Sequence, residues 1–507
     1  MTRRRSGWRH SEELAVKVRA GLLWSLFDNL VGRAGQVVMG IVLARLLAPS
    51  EFGVFSAALV AFTLIVNVSE LGVSVAVVRE PERTDAIAPT VATISILSAS
   101  TLAAVLFVAA PWVAAALHNP GATGSLQILS GALVIAGISA VPAALVQQRF
   151  RQDIQTAADV TNLAVSLAVA VPMAAAGFGP SSLAWAWVAS NAASAAILVG
   201  FSGRSWRPGL DRAEVRGLLR FGLPLAASGL LVFAVLNVDY VVVSRVLGPA
   251  ALGVYVLAFN LSSWPVKMFS QSVRSVSLPA FARLRNRPAR LEEVFTRSMS
   301  QLLALALPIC ALLAALAVPA VRFVYGDRWA GASRALVWLA VVGALRVAFE
   351  LTYDLIVALG HSSAVFRVQI LWLVALVPVL TFGAHLGGID GVGVGHLVVA
   401  LGIVTPAYLL LLRGHGIALH RLAAAVARPF LGAAAAFGVA WIVHRQFREP
   451  FVALAVAAIA GVGAHAAVMW GAVTRWRAER PATVTGPSGE AAVIDPRRVD
   501  PVVKVSA

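Results

Sequence analysis

The chain has little charge, one cysteine and almost no lysine. Charged residues fill 13 % of its 507 positions, against roughly 25 % in an ordinary soluble domain. Hydrophobic residues make up 59 %, gathered into long blocks with short polar connectors between them. That pattern excludes a soluble globular fold and is the mark of a chain that crosses a bilayer many times. The lone Cys310 lies inside one of these blocks, which excludes an intrachain disulfide and a thiolate metal cluster. Apart from Lys17, Lys267 and Lys504, the positive charge is arginine. Segments of about ten residues with alternating polarity are missing, which excludes a membrane β-barrel. The blocks are therefore helices, whose backbones satisfy their own hydrogen bonds in lipid. Arg3, Arg4 and Arg5 are not followed by a short apolar segment and a small-residue cleavage site, so no cleavable signal is expected. His118, His361, His385, His396, His415, His420, His444 and His465 show no metal-ligand spacing such as H-E-x-x-H, and neither a metal nor another cofactor is expected. The glycines of GGIDGVGVG, 387–395, have no strand before them. They are expected to serve close helix packing and not a dinucleotide.

What the chain does have is about fourteen apolar spans of roughly 20 residues. They lie near 22–47, 52–78, 88–117, 125–146, 156–176, 181–201, 218–247, 251–275, 296–323, 333–358, 364–383, 389–412, 422–444 and 451–471. The third and ninth are long, with bends expected at Pro111 or Pro319. Arginine separates the connectors into two sets. Arg79 and Arg83, Arg149 and Arg151, Arg204 to Arg220, Arg283 to Arg297, and Arg413 and Arg421 mark alternate connectors. Of those between, APSE, HNPGATGS, GFGPSS, LGPAA and GAHLGGID carry no Lys or Arg at all, and only Arg328, Arg445 and Arg448 break the pattern. The positive-inside rule then puts both termini in the cytoplasm of a bacterial inner-membrane protein. The net charge of +17 is thus a topology signal, with inner-leaflet lipid as its partner, and no nucleic-acid partner is expected.

One connector occurs twice. ARLLAPSEFGVF, 44–55, joins spans one and two, and SRVLGPAALGVY, 244–255, joins spans seven and eight. Arg45, Leu47, Pro49, Gly53 and Val54 match Arg245, Leu247, Pro249, Gly253 and Val254 in register. An even number of spans separates the copies, so the repeat is parallel, related by an axis along the membrane normal. The expected fold class is all-α integral membrane: two six-helix bundles around a central cleft, plus two C-terminal helices. The corresponding divisions are a cytoplasmic tail 1–21, bundles 22–201 and 218–412 with a linker 202–217 between them, the extra helices 413–473, and a disordered polar tail 474–507.

An ionisable group at mid-bilayer costs about 2.5–3.5 kcal/mol on insertion scales, so each asks for a reason. Arg33 in span one and Arg346 in span ten are the candidates for holding an anion, since a guanidinium fork suits a diphosphate. Glu350 and Asp354 follow Arg346 at i+4 and i+8, a charged stripe about 12 Å long at 1.5 Å per residue. With Glu70, Asp239 and Asp28 they are the candidate cavity acids, balancing the arginines or coupling an ion. A self-neutralising Arg346–Glu350 pair is the competing reading. Arg45 and Arg245 are expected to snorkel at helix ends.

Several phrases carry a family resemblance: LLAPSEFGVF, ELGVSVAVVRE, VPAALVQQRFRQD, FGLPLAASGLLVFAVLNVDYVVVSRVLGPAALGVYVLAFNLSS, SVSLPAFARLRN and VYGDRWAGASRAL. Over roughly 15–415 the chain resembles the Wzx-type polysaccharide flippases of the multidrug/oligosaccharidyl-lipid/polysaccharide superfamily, in particular exopolysaccharide and colanic-acid-type exporters. The resemblance implies a transporter and not an enzyme. It would move undecaprenyl-diphosphate-linked oligosaccharide from the inner to the outer leaflet by alternating access through a cationic cavity. It also implies membrane lipid, a polysaccharide polymerase and glycosyltransferases as partners. A lipid II flippase and a drug or cation antiporter of the same superfamily are the alternatives, and the short bare connectors argue against a membrane glycosyltransferase.

Overall fold

The computed structural model describes residues 38–69, 73–203, 206–264, 277–447 and 449–478, with positions 35 and 266. The described part is helical from end to end. In order come α1 (38–46), α2 (Pro49–Ser69), α3 (Ser74–Arg79), α4 (Thr84–Ala116), α5 (Ala122–Gln148), α6 (Gln152–Ala175), α7 (Pro180–Ser202) and α8 (Arg212–Ser262). Then follow α9 (277–284), α10 (Pro288–Ala315), α11 (Ala317–Tyr325), α12 (Ala332–Ala358), α13 (Ser362–Val399), α14 (Thr405–Gly414), α15 (Leu419–Val443) and α16 (Pro450–Ala478). Among the described residues, eleven stretches are long and apolar enough to cross a membrane. Large side chains such as Leu386, Ile459 and Trp470 stand more than 70 % exposed, a surface that only a lipid environment would tolerate. This is a multi-pass, all-α membrane protein.

Two of the apparent single helices are hairpins. In α8, Tyr255 donates its hydroxyl to Asp239 at 2.8 Å, although sixteen residues of straight helix would hold them about 24 Å apart. The chain reverses at Gly248, whose φ of 84° is left-handed and open to glycine without a Cβ clash. In α13 the break falls at Gly387 and Gly388, and Gly383 and Gly391 then meet backbone to backbone across the turn. Both reversals lie in connectors that carry no arginine. Of the 387–395 glycines, Gly391, Gly393 and Gly395 serve packing, Gly393 against Trp338 and Gly395 against Val379 and Leu380, whereas Gly387 and Gly388 have open space and form the turn.

Local chemistry explains the starts of the helices. Pro49 occupies the first position of α2, where a missing N–H is harmless. Two residues later Glu51 reaches back to accept the Ala48 N–H at 2.7 Å, one half of a capping box. Asp211 accepts the Ala213 N–H at 2.9 Å and caps α8. Elsewhere the boundaries differ from the hydropathy reading. The second span was expected to run on to 78; α2 is described as far as Ser69 and α3 from Ser74. Helix α4 runs through Pro111 unbroken, whereas the ninth span breaks at Leu316, three residues before Pro319, and continues as α11.

The first-half helices α1, α2, α4, α5 and α7 share one apolar core, including Leu47, Phe62, Leu106, Leu126 and Leu133. A second core is built from α8, α12 and α13, with Tyr255, Trp329, Leu336 and Leu380. Helices α15 and α16 pack on each other and along α10, where Ala315, Leu316, Ala440 and Ala457 meet. The connectors sort by contact as they sort by charge. At the arginine-rich end Arg83 pairs with Glu214 at 2.6 Å, Arg149 donates to the Ser202 carbonyl at 3.1 Å, and Arg421 faces Glu292 at 3.5 Å. The bare connectors meet one another at the opposite end.

Candidate functional site

Arg346 projects from the middle of α12, half-buried, with its guanidinium carbon 5.4 Å from the ring centroid of Phe259 on α8. Such stacking is worth about 0.5–2 kcal/mol, but it does not neutralise the charge. Among the described residues Arg346 makes no ion pair, so the self-neutralising Arg346–Glu350 pair is not formed. The rest of the stripe is divided among neighbours. Glu350 is half-buried and acts electrostatically on Tyr408, which stacks on Phe349 at 5.4 Å. Asp354 is 4 % exposed and accepts a hydrogen bond from Ser277 Oγ at 3.1 Å, tying α12 to α9. Arg33, Glu70 and Asp28 lie outside the described residues.

Asp239 is sealed within the second core. It is 1 % exposed and accepts the Tyr240 backbone N–H on Oδ1 at 3.0 Å and the Tyr255 hydroxyl on Oδ2 at 2.8 Å. The same hydroxyl lies 2.9 Å from Nε2 of His396, which stands 3.6 Å from Asp239 Oδ2. Sequence reasoning missed His396 and Tyr255. The signal was there: a histidine inside GVGVGHLVVA asks for a reason as much as an arginine does.

At the bare end the repeated connectors touch each other. A Cβ on Gly53 would strike the Pro249 carbonyl and approach the Gly253 nitrogen at 2.8 Å. A Cβ on Gly253 would strike the Pro49 carbonyl and approach the Gly53 nitrogen at 3.0 Å. The contact is reciprocal, as a two-fold axis between the copies requires. Each connector is also held by the opposite half. Arg45 donates from Nε to the Val324 carbonyl at 3.1 Å and from Nη2 to the Phe323 carbonyl at 2.6 Å. Trp329 Nε1 donates to the Ala44 carbonyl at 2.6 Å. In the other direction Ser244 Oγ donates to the Leu117 carbonyl at 3.0 Å, and His118 Nδ1 reaches the Arg245 carbonyl at 2.9 Å from a left-handed φ of 51°. Arg45 is therefore not a snorkelling side chain. It satisfies the open carbonyls at the end of α11, where a cation is favoured.

Arg45→Ala should loosen this end by roughly 1 kcal/mol, the modest value of an exposed charge-assisted bond. Trp329→Phe, which stays aromatic but loses the donor and leaves a void where the indole was fully buried, should cost more. With Cys310 replaced by alanine and a cysteine placed at the buried Leu47, the double variant should react several-fold faster with a maleimide than its parent. Equal labelling rates would show that these bonds do not hold the two halves together.

The profile of the family described as "Polysaccharide biosynthesis protein" matches residues 42–334. The chain belongs to that family. It is similar to the lipopolysaccharide biosynthesis protein WzxC of Escherichia coli, 25 % identical over 76 % of this chain and 79 % of the relative. It is likewise similar to the succinoglycan biosynthesis transport protein ExoT of Rhizobium meliloti, 26 % identical over 74 % and 76 % of the two chains. Among solved structures, the lipid II flippase MurJ in its inward closed conformation matches with a TM-score of 0.74 at 12 % identity. The match covers 90 % of this chain and all of that one. An inward-facing multidrug transporter of the MATE family matches with a TM-score of 0.61 at 17 % identity. These likenesses show that this family member shares the fold of both transporters.

Proposed function

We propose that the chain moves undecaprenyl-diphosphate-linked oligosaccharide repeat units from the inner to the outer leaflet of the bacterial cytoplasmic membrane. Within a family named for polysaccharide biosynthesis, the observation that carries this reading is the guanidinium of Arg346, which has no ion-pair partner among the described residues. A cation kept unpaired in a span is costly unless an anion visits it, and a diphosphate diester is an anion that a guanidinium binds in paired fashion. The arginine-rich end faces the cytoplasm by the positive-inside rule, with both termini on that side. Residues 22–201 and 218–412 then rock against each other, the reciprocal glycine contact closing the outer side of the cleft and parting when the head group leaves. The polyprenyl chain stays in lipid while the head group crosses. A diester carries about two negative charges, and each releases about 2.3 kcal/mol per 100 mV when it moves outward across an inside-negative membrane. Glycosyltransferases supply such a substrate and a polymerase consumes it.

The experiment is mass spectrometry of undecaprenyl-linked lipids in cells without the chain, with leaflet assignment by an impermeant probe. A complete repeat unit accumulating on the inner leaflet is the expected result, and it names the glycan. Single units accumulating on the outer leaflet would move the step to polymerisation. An unchanged lipid pool would leave the antiporter reading in its place.

A further inference from the structure

The reversal in α13 leaves a groove between its two limbs and α12. The floor carries no side chains, because Gly383 and Gly387 line it from one limb and Gly391 and Gly395 from the other. Phe382, Val394, Val398 and, from α12, Trp338 form the walls. The cavity measures about 790 Å³, within the roughly 300–1,000 Å³ of sites that enclose a small ligand. Phe382 lies two residues from both Leu380 and Ala384, and Val394 two from Val392, which puts them across the helix. Leu380, Ala384 and Val392 are buried in the second core. The groove therefore opens away from that core, onto the bilayer. An apolar recess there does not stay empty: water finds no polar partners in it, and a void forfeits dispersion contacts.

Depth sets the length of the occupant. The reversal at Gly387 and Gly388 marks the bare, outer end, and the lining runs inward from it to Pro378 and Val398. That is about 15 Å of helix at 1.5 Å per residue, half of a hydrocarbon core of about 30 Å. The groove is one leaflet deep, the reach of a single acyl chain, and a polyprenyl chain of carrier length would overrun it. The mouth sets the head group. Asp390, just past the reversal, lines the groove and faces Arg334 at the start of α12, with Nη1 3.3 Å from Oδ2. Its Oδ1 has no hydrogen-bond partner among the described residues. An acid and a base side by side complement a head group that carries both signs. A phosphate takes the guanidinium fork, and a primary ammonium brings N–H donors to a carboxylate that can only accept. A head group with phosphate alone would set its charge against Asp390, and a quaternary ammonium has no N–H to give.

We propose that this groove holds one outer-leaflet phospholipid with a primary-amine head group. An acyl chain lies over the glycines, the phosphate sits on Arg334 and the ammonium on Asp390. The lipid takes the place of the side chains the glycines lack and joins the α13 hairpin to α12. The site is separate from Arg346 and does not rest on what the chain exports.

The test uses the full chain in phosphatidylcholine vesicles with a trace of phosphatidylethanolamine that bears a photoreactive group midway along one acyl chain. Illumination should label α13 between Pro378 and Val398. Val394→Trp and Val398→Trp each put a bulky ring at an exposed wall, and each should remove most of that label while melting as wild type does. Two positions are used so that a misfolded variant at one leaves the other to decide. Unlabelled phosphatidylethanolamine should compete about fivefold better than phosphatidylglycerol, the upper worth of an exposed ion pair. Asp390→Asn should erase that advantage and keep the label, since the acyl chain still has its groove. Label that persists in the tryptophan variants, or that spreads evenly over the lipid-facing helices, overturns the site. Equal competition by the two phospholipids, or an advantage unchanged in Asp390→Asn, overturns the head-group assignment and with it the proposal. A polyprenyl phosphate that displaces the label better than either phospholipid also overturns it, because the groove would then be a carrier-lipid site.

Discussion

Gly53→Ala should lower the thermal stability of the purified protein and impair export, and Gly253→Ala should do the same. In each case the new methyl group meets a proline carbonyl and a glycine nitrogen of the other copy. These are backbone atoms that cannot swing aside as a flexible side chain would. Overpacking of this kind costs about 1–3 kcal/mol, and relief comes only by parting the two connectors. The two alanines press on the same contact from opposite sides, so their effects should not add: once one has separated the connectors, the second meets open space. The measurement is the loss of folded protein on heating for both single variants and the double. Wild-type melting with full export in Gly53→Ala would mean that the connectors do not meet. Gly177 and Gly200 have open space at the Cβ position; Gly200 lies in a helix and is the neutral control, since Gly177 needs its left-handed φ of 82°.

Arg346→Ala should reduce export of the lipid-linked unit by roughly 10- to 150-fold, the worth of one charge-assisted hydrogen bond of about 1.5–3 kcal/mol. Arg346→Lys should recover part of this, because it restores the charge without the planar fork. The stability effect runs the other way. Removing a cation from a span removes a desolvation cost and, among the described residues, gives up only the stacking on Phe259, so Arg346→Ala should melt no lower than wild type. Loss of export with unchanged or raised stability is the signature of a residue kept for its ligand. Normal export in Arg346→Ala would end the anion-site proposal.

Much of the architecture was legible because membrane folding constrains the sequence strongly. The arginine alternation sorted the connectors into two ends, and side-chain contacts sort them the same way. The reversals at Gly248 and Gly387–Gly388 fall within connectors already marked by glycine and the loss of hydrophobicity. The candidate site was legible only in part. Helical spacing put Arg346, Glu350 and Asp354 on one stripe, but spacing along a helix says nothing of what stands opposite. Phe259 and Ser277 arrive from α8 and α9, so the stripe is split among different neighbours. Arg45 was misread for the same reason: its partners, Phe323 and Val324, lie some 280 residues on and offer only carbonyls, which leave no trace in a sequence. His396 was passed over because metal-ligand spacing was the test applied. Its partners are a tyrosine and an aspartate on another hairpin, with no fixed spacing to find.

The glycine contact also bears on ancestry. In a two-fold homodimer a surface patch meets its own copy, and any change in it is felt twice. The connectors at Pro49–Gly53 and Pro249–Gly253 still stand in that relation, as though two identical subunits had been joined end to end and this seam kept. A substitution at Gly53 is judged by the fit to Pro249, and one at Gly253 by the fit to Pro49. Elsewhere each half drifts against its own core, but here neither copy can diverge without the consent of the other. That mutual constraint accounts for why the likeness between the halves survives most clearly in this stretch of a dozen residues.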